Sequence, residues 1–141
     1  MPCPQAGRDN LGLTLDTGHL LMAGENAAQA IALAAAAGKL FGLHLNDGHA
    51  RLGAEDGLAF GSVHGTAALE VVVWLQRVNY TGHVYFDTFP LNEDPLREAA
   101  YNVRRFRALW RQAAQLQAGG LDDLLARQDA LGVLELLEAA T

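Results

Sequence analysis

The sequence predicts an α/β fold built on a parallel sheet. Short apolar runs, "LGLTLD" at residues 11–16 and "LFGLHL" at 40–45, suit strands buried on both faces, and "HVYFDTF" at 83–89 carries the aromatic and β-branched residues that favour a strand. Each run is followed by a stretch with helical start and stop signals, and strands that alternate with helices form parallel sheets, because each helix returns the chain across a face before the next strand begins. Each run also ends on, or presents near its end, a carboxylate or an imidazole.

Taken in order, the first strand closes on Asp16, with Thr17, Gly18 and His19 directly behind it. Asn26 is placed to cap a helix running to Gly38, the glycine supplying the left-handed stop. The second strand presents His44. A helix fits from Thr66 to Val78, with Val72, Trp74, Leu75 and Val78 as its apolar stripe. The third strand ends on Asp87, and Asp94-Pro95, a cap followed by a proline at the first helical position, opens a helix that continues to Gly119-Gly120. The last stretch, "LDDLLARQDALGVLELLEAA", reads as one further amphipathic helix with an interruption near Gly132. The predicted order is β-α-β-α-β-α-α.

Composition limits the functions on offer. At 141 residues, half hydrophobic, the chain supports one modest core and a single domain. A net charge of −6 speaks against a nucleic-acid surface, which normally needs a basic stripe to neutralise phosphates. Five of the ten Lys and Arg fall in "REAAYNVRRFRALWR", residues 97–111, which reads as the solvated face of a helix. A lone Cys3 excludes an internal disulfide and a thiolate cluster for zinc, and a reducing cytoplasm is the default compartment. "MPCPQAGRDN" carries no targeting pattern, and the apolar run "AAQAIALAAAAG" is too short to span a bilayer, so no membrane partner is expected.

Right-handed crossovers put the three strand C-termini on one edge of the sheet. Asp16, His44 and Asp87 therefore share a rim with His19 just behind it, and that rim is where α/β barrels build their active sites. Two carboxylates with one or two imidazoles and no thiolate suit a hard or borderline divalent ion: Mn²⁺, Mg²⁺, Co²⁺ or Zn²⁺. The connection after His44, "LNDGHARLGAEDGLAFGSVH", is far longer than an ordinary βα loop, and long loops in compact domains are usually functional or disordered. Its Asp47, His49, Arg51, Glu55, Asp56 and His64 read together as a substrate lid with spare ligands.

The segments "LDTGHLLMAGEN", "LHLND", the "GS" of "AFGSVH" and "FDTFP" before "NEDP" resemble, in order and spacing, the carboxy-terminal part of the xylose isomerase-like barrels, closest to bacterial L-rhamnose and related sugar isomerases. The resemblance covers residues 11–111. It implies a partial (β/α)8 TIM barrel, the last three βα units, with residues 1–10 outside the family pattern, 11–118 as the barrel part and 119–141 as a C-terminal helical extension. It further implies that Asp16, His44 and Asp87 match three ligands of a structural metal, that His19 matches a ligand of a second, catalytic metal, and that Glu55 or Asp56 stands near the other carboxylates. Arg51 is the candidate contact to a sugar substrate or to the residues that hold the metal. The acidic loop is poorer in Asp than in the family.

Three βα units fall short of eight, and a full barrel usually takes about 250 residues. The chain is thus expected to be a fragment, a truncated gene product, or one half completed by another chain. The implied reaction is metal-dependent aldose-ketose isomerisation, with manganese the leading cofactor. A single-metal ketose 3-epimerase and a non-catalytic half-barrel are the alternatives, and a metal-dependent phosphodiesterase or abasic-site nuclease on the same barrel is disfavoured by the acidic charge. Leu121, Leu124, Leu125, Leu131, Leu134 and Leu137 give the extension enough apolar surface to suggest subunit contacts.

Overall fold

In the computed structural model, which describes residues 7–49, 51–53 and 55–140, the three expected strands form one parallel sheet. Residues 1–6, including Cys3 and most of the expected non-family start, lie outside the described residues. The elements are β1 (Leu13–Asp16), α1 (Thr17–Met22), α2 (Ala27–Ala36), β2 (Leu40–Leu45), α3 (Gly65–Arg77), β3 (His83–Phe86), α4 (Pro95–Ala118), α5 (Leu121–Ala126) and α6 (Ala130–Ala139). The sheet order is β1-β2-β3, the sequence order expected of successive βα units. This is a mixed α/β architecture with parallel strands, consistent with part of a TIM barrel.

Register decides what each face carries. Asp16 stands opposite His44, and His44 opposite Tyr85, so the three project to one side. On the other side Leu15, Leu43, Leu45, Val84 and Phe86 pack with Ile31, Val72, Leu75, Leu109 and Leu116 in one core beneath α2, α3 and α4. Full burial of an aliphatic side chain of this size stabilises by about 1.5–3 kcal/mol, so this layer fixes the strands from below. Between Leu13 and Thr14 the register slips past Phe41, which keeps the alternation downstream. The Phe41 ring occupies the space in front of Gly12, where a Cβ would sit 2.2 Å from it.

Two expectations about helices need correction. The expected order lacks one element: Thr17–Met22 forms a short helix capped by Asp16, whose side chain accepts the His19 N–H. The terminal stretch is interrupted before Gly132, at Gln128 in the left-handed region (φ 57°), and Gly132 lies inside α6 where its N–H is taken by Asp129. Elsewhere the caps act as the sequence implies: Asn26 accepts the Gln29 N–H at 2.7 Å, and Asp94 accepts Leu96 and Arg97 N–H groups ahead of a helix that begins at Pro95.

The helices α5 and α6 fold back beside α3, where Val73, Trp74, Leu121, Val133 and Leu137 line a common groove. Leu121 is buried, while Leu125, Leu131 and Leu134 face outward. Among the described residues, no helix is long and apolar enough to cross a membrane.

Candidate metal centre

Asp16 is the last residue of β1 and the N-cap of α1, and its two oxygens divide these roles. Oδ1 accepts the His19 N–H at 3.0 Å, while Oδ2 lies 3.5 Å from His44 Nδ1. The same His44 nitrogen is 3.1 Å from Asp87 Oδ2. The His44 ring is steadied by Tyr85, its register partner on β3, with centroids 5.3 Å apart. An imidazole nitrogen carries at most one proton, so it donates well to only one of two carboxylates. Two anions converging on one nitrogen is an arrangement that a cation relieves.

A second group shares Asp16. His19, on the short α1, turns Nε2 toward Glu55 Oε1 at 3.3 Å. Asp16, His44 and Asp87 each offer a ligand atom within 4.8 Å of the others, and so do Asp16, His19 and Glu55. A divalent ion about 2.1 Å from each donor needs neighbouring donors about 3.0–3.5 Å apart in octahedral or tetrahedral geometry. The separations at His44 and at His19 fall within or near that range. Two carboxylates and one imidazole per group, with no sulfur, match the hard-to-borderline ions in charge as well as in donor type. The residues present therefore fit a divalent metal.

The strand ends are locked together by residues to which sequence reasoning assigned no role. Asn46, 2% exposed, follows β2. Its Oδ1 accepts the Gly18 N–H at 2.5 Å, and its Nδ2 donates to the Asp87 carbonyl at 2.9 Å. One buried side chain thus joins the end of β1 to the end of β3 across β2. Thr17 Oγ1 accepts the Asn46 N–H at 2.9 Å and donates to the Asn46 carbonyl at 2.8 Å. Gly18 is required by this contact, since a Cβ there would sit 2.6 Å from Asn46 Oδ1. The only signal in the sequence is the position of Asn46 between His44 and Asp47 in "LHLND".

The long connection, residues 46–64, is tied at its base. Asp47 and Leu58 form an antiparallel bridge with N–H···O distances of 2.8 and 2.9 Å. The buried Asp47 carboxylate accepts N–H groups of Gly48, Val63 and His64 and meets the His64 ring at 2.8 Å. Burial alone would push this carboxyl up, but the His64 backbone and ring, Val63 and Gly48 outweigh it and hold Asp47 below the ordinary carboxylate range. Asp47 and His64 thus pair with each other and join neither metal group. At the loop tip Asp56 accepts the His49 N–H at 2.8 Å and pairs with Arg51 at 2.6 Å, and these two contacts lower its pKa. Asp56 stands outside both groups, and Arg51 is largely exposed with its guanidinium on Asp56.

The family model described as xylose isomerase-like TIM barrel matches residues 3–109. Among characterised proteins, the chain is similar to a xylose isomerase of Streptomyces lividans, 37% identical over 103 residues, which is 73% of this chain and 23% of that enzyme. The chain thus spans about a quarter of the length of the curated relative it matches.

Proposed function

This chain belongs to the xylose isomerase-like TIM barrel family, and from that premise we propose that it supplies the metal-binding corner of a metal-dependent sugar isomerase that interconverts an aldose and a ketose. The observation that carries the reading is the convergence of Asp16, His44 and Asp87 from three parallel strand ends within 4.8 Å. Those three residues would hold one divalent ion, and His19 and Glu55 with Asp16 a second. A divalent ion bound there supplies Lewis acidity toward sugar oxygens and a water of lowered pKa. Manganese is the proposed metal, and the cytoplasm, where thiols stay reduced, the proposed compartment. Asn46 keeps Asp16 and Asp87 at a fixed separation. Tyr85 covers one side of His44 and restricts how its ring can turn. Arg51, exposed and paired with Asp56 on the loop, is the proposed contact to a sugar hydroxyl.

The sheet supports a further part of the proposal. Among the described residues β1 and β3 each pair on one side only, and the face opposite the core exposes Phe41 and Tyr85 by about half. Open strand edges and exposed aromatic rings are what a barrel closes. The remaining strands would come from further residues of a longer protein or from a complementing barrel half. Subunit contacts are proposed for Leu125, Leu131 and Leu134 of α5 and α6.

The test is to assay the chain with Mn²⁺ or Co²⁺ on rhamnose, xylose and several ketoses, alone and after co-expression with the first half of a related isomerase. The expected outcome is little turnover alone and isomerase turnover when complemented. A displacement of about 1 Å in such a site costs on the order of a hundredfold in rate, and a sheet lacking its neighbours holds its groups less closely than that. Epimerase activity with a single bound ion would favour the one-metal reading, and no turnover in either arm would favour a non-catalytic half-barrel.

A further inference from the structure

Glu55 is the one member of the two metal groups that lies away from any strand end or helix. It sits near the tip of the loop spanning residues 46–64 and still faces His19 at 3.3 Å. A loop of that length, left to itself, samples many conformations, and fixing one side chain against a distant helix opposes a large conformational entropy. Something in the loop must remove that freedom in advance. The Asp47 carboxylate is the group in a position to do so.

We propose that Asp47 is a positioning residue for the second metal group: its carboxylate gathers the two ends of the loop so that Glu55 stays aimed at His19 and Asp16. Asp47 itself joins neither group. Its two oxygens divide the work by position. Oδ1 takes the Gly48 N–H and the His64 ring, and Oδ2 takes the Val63 and His64 N–H groups, all at 2.8 Å. Gly48 opens the loop, whereas Val63 and His64 close it and lead into α3. The Asp47–Leu58 bridge then shortens the free segment to residues 48–57. That segment carries its own internal ties, Asp56 to the His49 N–H and to Arg51, and Phe89 N–H donates to the Gly57 carbonyl at 2.8 Å. Buried at 2% exposure, Asp47 exchanges none of its bonds freely with water, and bonds accepted by an ionised group are stronger than neutral ones.

The inference rests on the metal reading for its consequence but not for its geometry, so two readouts separate them. Arg51 is the only Lys or Arg between Lys39 and Arg77, and trypsin cutting at Arg51 therefore reports opening of the loop whether or not any metal binds. In the full chain, Asp47→Asn keeps the size of the side chain but presents an N–H₂ to one of the two donor pairs. His64→Ala is a milder variant that leaves the backbone donors in place. The expected result is cleavage at Arg51 faster by about tenfold or more in Asp47→Asn and by a smaller factor in His64→Ala, both measured where thermal melts show the chain folded. Titration with Mn²⁺ followed by electron paramagnetic resonance should show the weaker class of site lowered by about tenfold and the tighter class unchanged. Wild-type cleavage rates in both folded variants would overturn the proposal, as would equal weakening of both classes of site, which marks a general loss of structure. If the wild-type chain shows a single class of site, the two-metal reading fails while the cleavage result still decides the role of Asp47.

Discussion

The two metal groups share one carboxylate and differ in everything that holds the others. Asp16, His44 and Asp87 stand on or just beyond three strand ends seated on a common core, and Asn46 joins the outer two strand ends through a single buried amide. Asp16, His19 and Glu55 combine that strand end with a six-residue helix and a loop tip. The members not shared differ in exposure: His44 and Asp87 are half-buried, whereas His19 and Glu55 are exposed. Sites built on strands are held more closely than sites built on loops. On the proposed reading, the strand-held group keeps an ion resident and the loop-held group admits one together with a substrate.

Asp16 is where the comparison breaks most completely. Asp16→Ala should weaken Mn²⁺ at both groups by about a hundredfold or more, since it removes a shared ligand, while loss of the α1 cap costs only about 1 kcal/mol of stability. Asp16→Asn separates the two effects, because Asn caps a helix as well as Asp but carries no charge. Calorimetry on both variants decides the matter. Retained binding in the Ala variant would show that the groups do not share this carboxylate.

Asn46→Ala should act next most strongly, and unequally. It leaves the Gly18 N–H and the Asp87 carbonyl without their partner, each buried unsatisfied group costing about 1–3 kcal/mol. A denaturant melt should show a loss of about 3 kcal/mol, and Mn²⁺ affinity should fall further at the strand-held group than at the loop-held one. Equal loss at both would mean that Asn46 supports the fold without setting the spacing of Asp16 and Asp87.

Glu55→Gln sharpens the comparison from the other side. It should lower affinity at the loop-held group by about tenfold and leave the strand-held group unchanged, because Glu55 lies within reach of Asp16 and His19 but outside the group of Asp16, His44 and Asp87. Competition between Mn²⁺ and Mg²⁺, followed by the paramagnetic signal of each class, measures this directly.

The same division marks what the sequence revealed. The strand-held half was legible, because apolar runs at 11–16 and 40–45 and the aromatic run at 83–89 place Asp16, His44 and Asp87 on one rim by topology alone. So was α4, announced by Asp94-Pro95. The short α1 was not legible, since six residues with a glycine in second place show no helical periodicity, and its stability comes from the Asp16 cap and from Asn46 holding Gly18. The loop base was hidden for a related reason. Asp47 reads with the rest of the loop as a spare ligand of a substrate lid, whereas it serves as an acceptor, three of its four donors coming from Val63 and His64, and local sequence carries no mark of them. At the C-terminal end Gly132 looked like the breaker, yet Asp129 caps α6 by taking the Gly132 N–H, which moves the break upstream to Gln128.

The smallest effect is expected with pH, and it falls on the loop alone. Asp47 has an ordinary carboxylate value of 3.8 that its donors lower in the folded chain. A carboxyl whose folded pKa lies below its unfolded one contributes stability that is complete above the unfolded value and is lost as pH falls through the folded one. The amide of Asp47→Asn does not titrate, so the stability gap between wild type and variant isolates this contribution. Denaturant melts at steps from pH 7 to pH 2.5 should show a gap that stays constant down to about pH 4 and narrows below it. A gap that held its size to the acid end would mean that the carboxylate charge of Asp47 does not hold the loop, and the stiffness that separates the two metal groups would have to come from the Asp47–Leu58 backbone bridge instead.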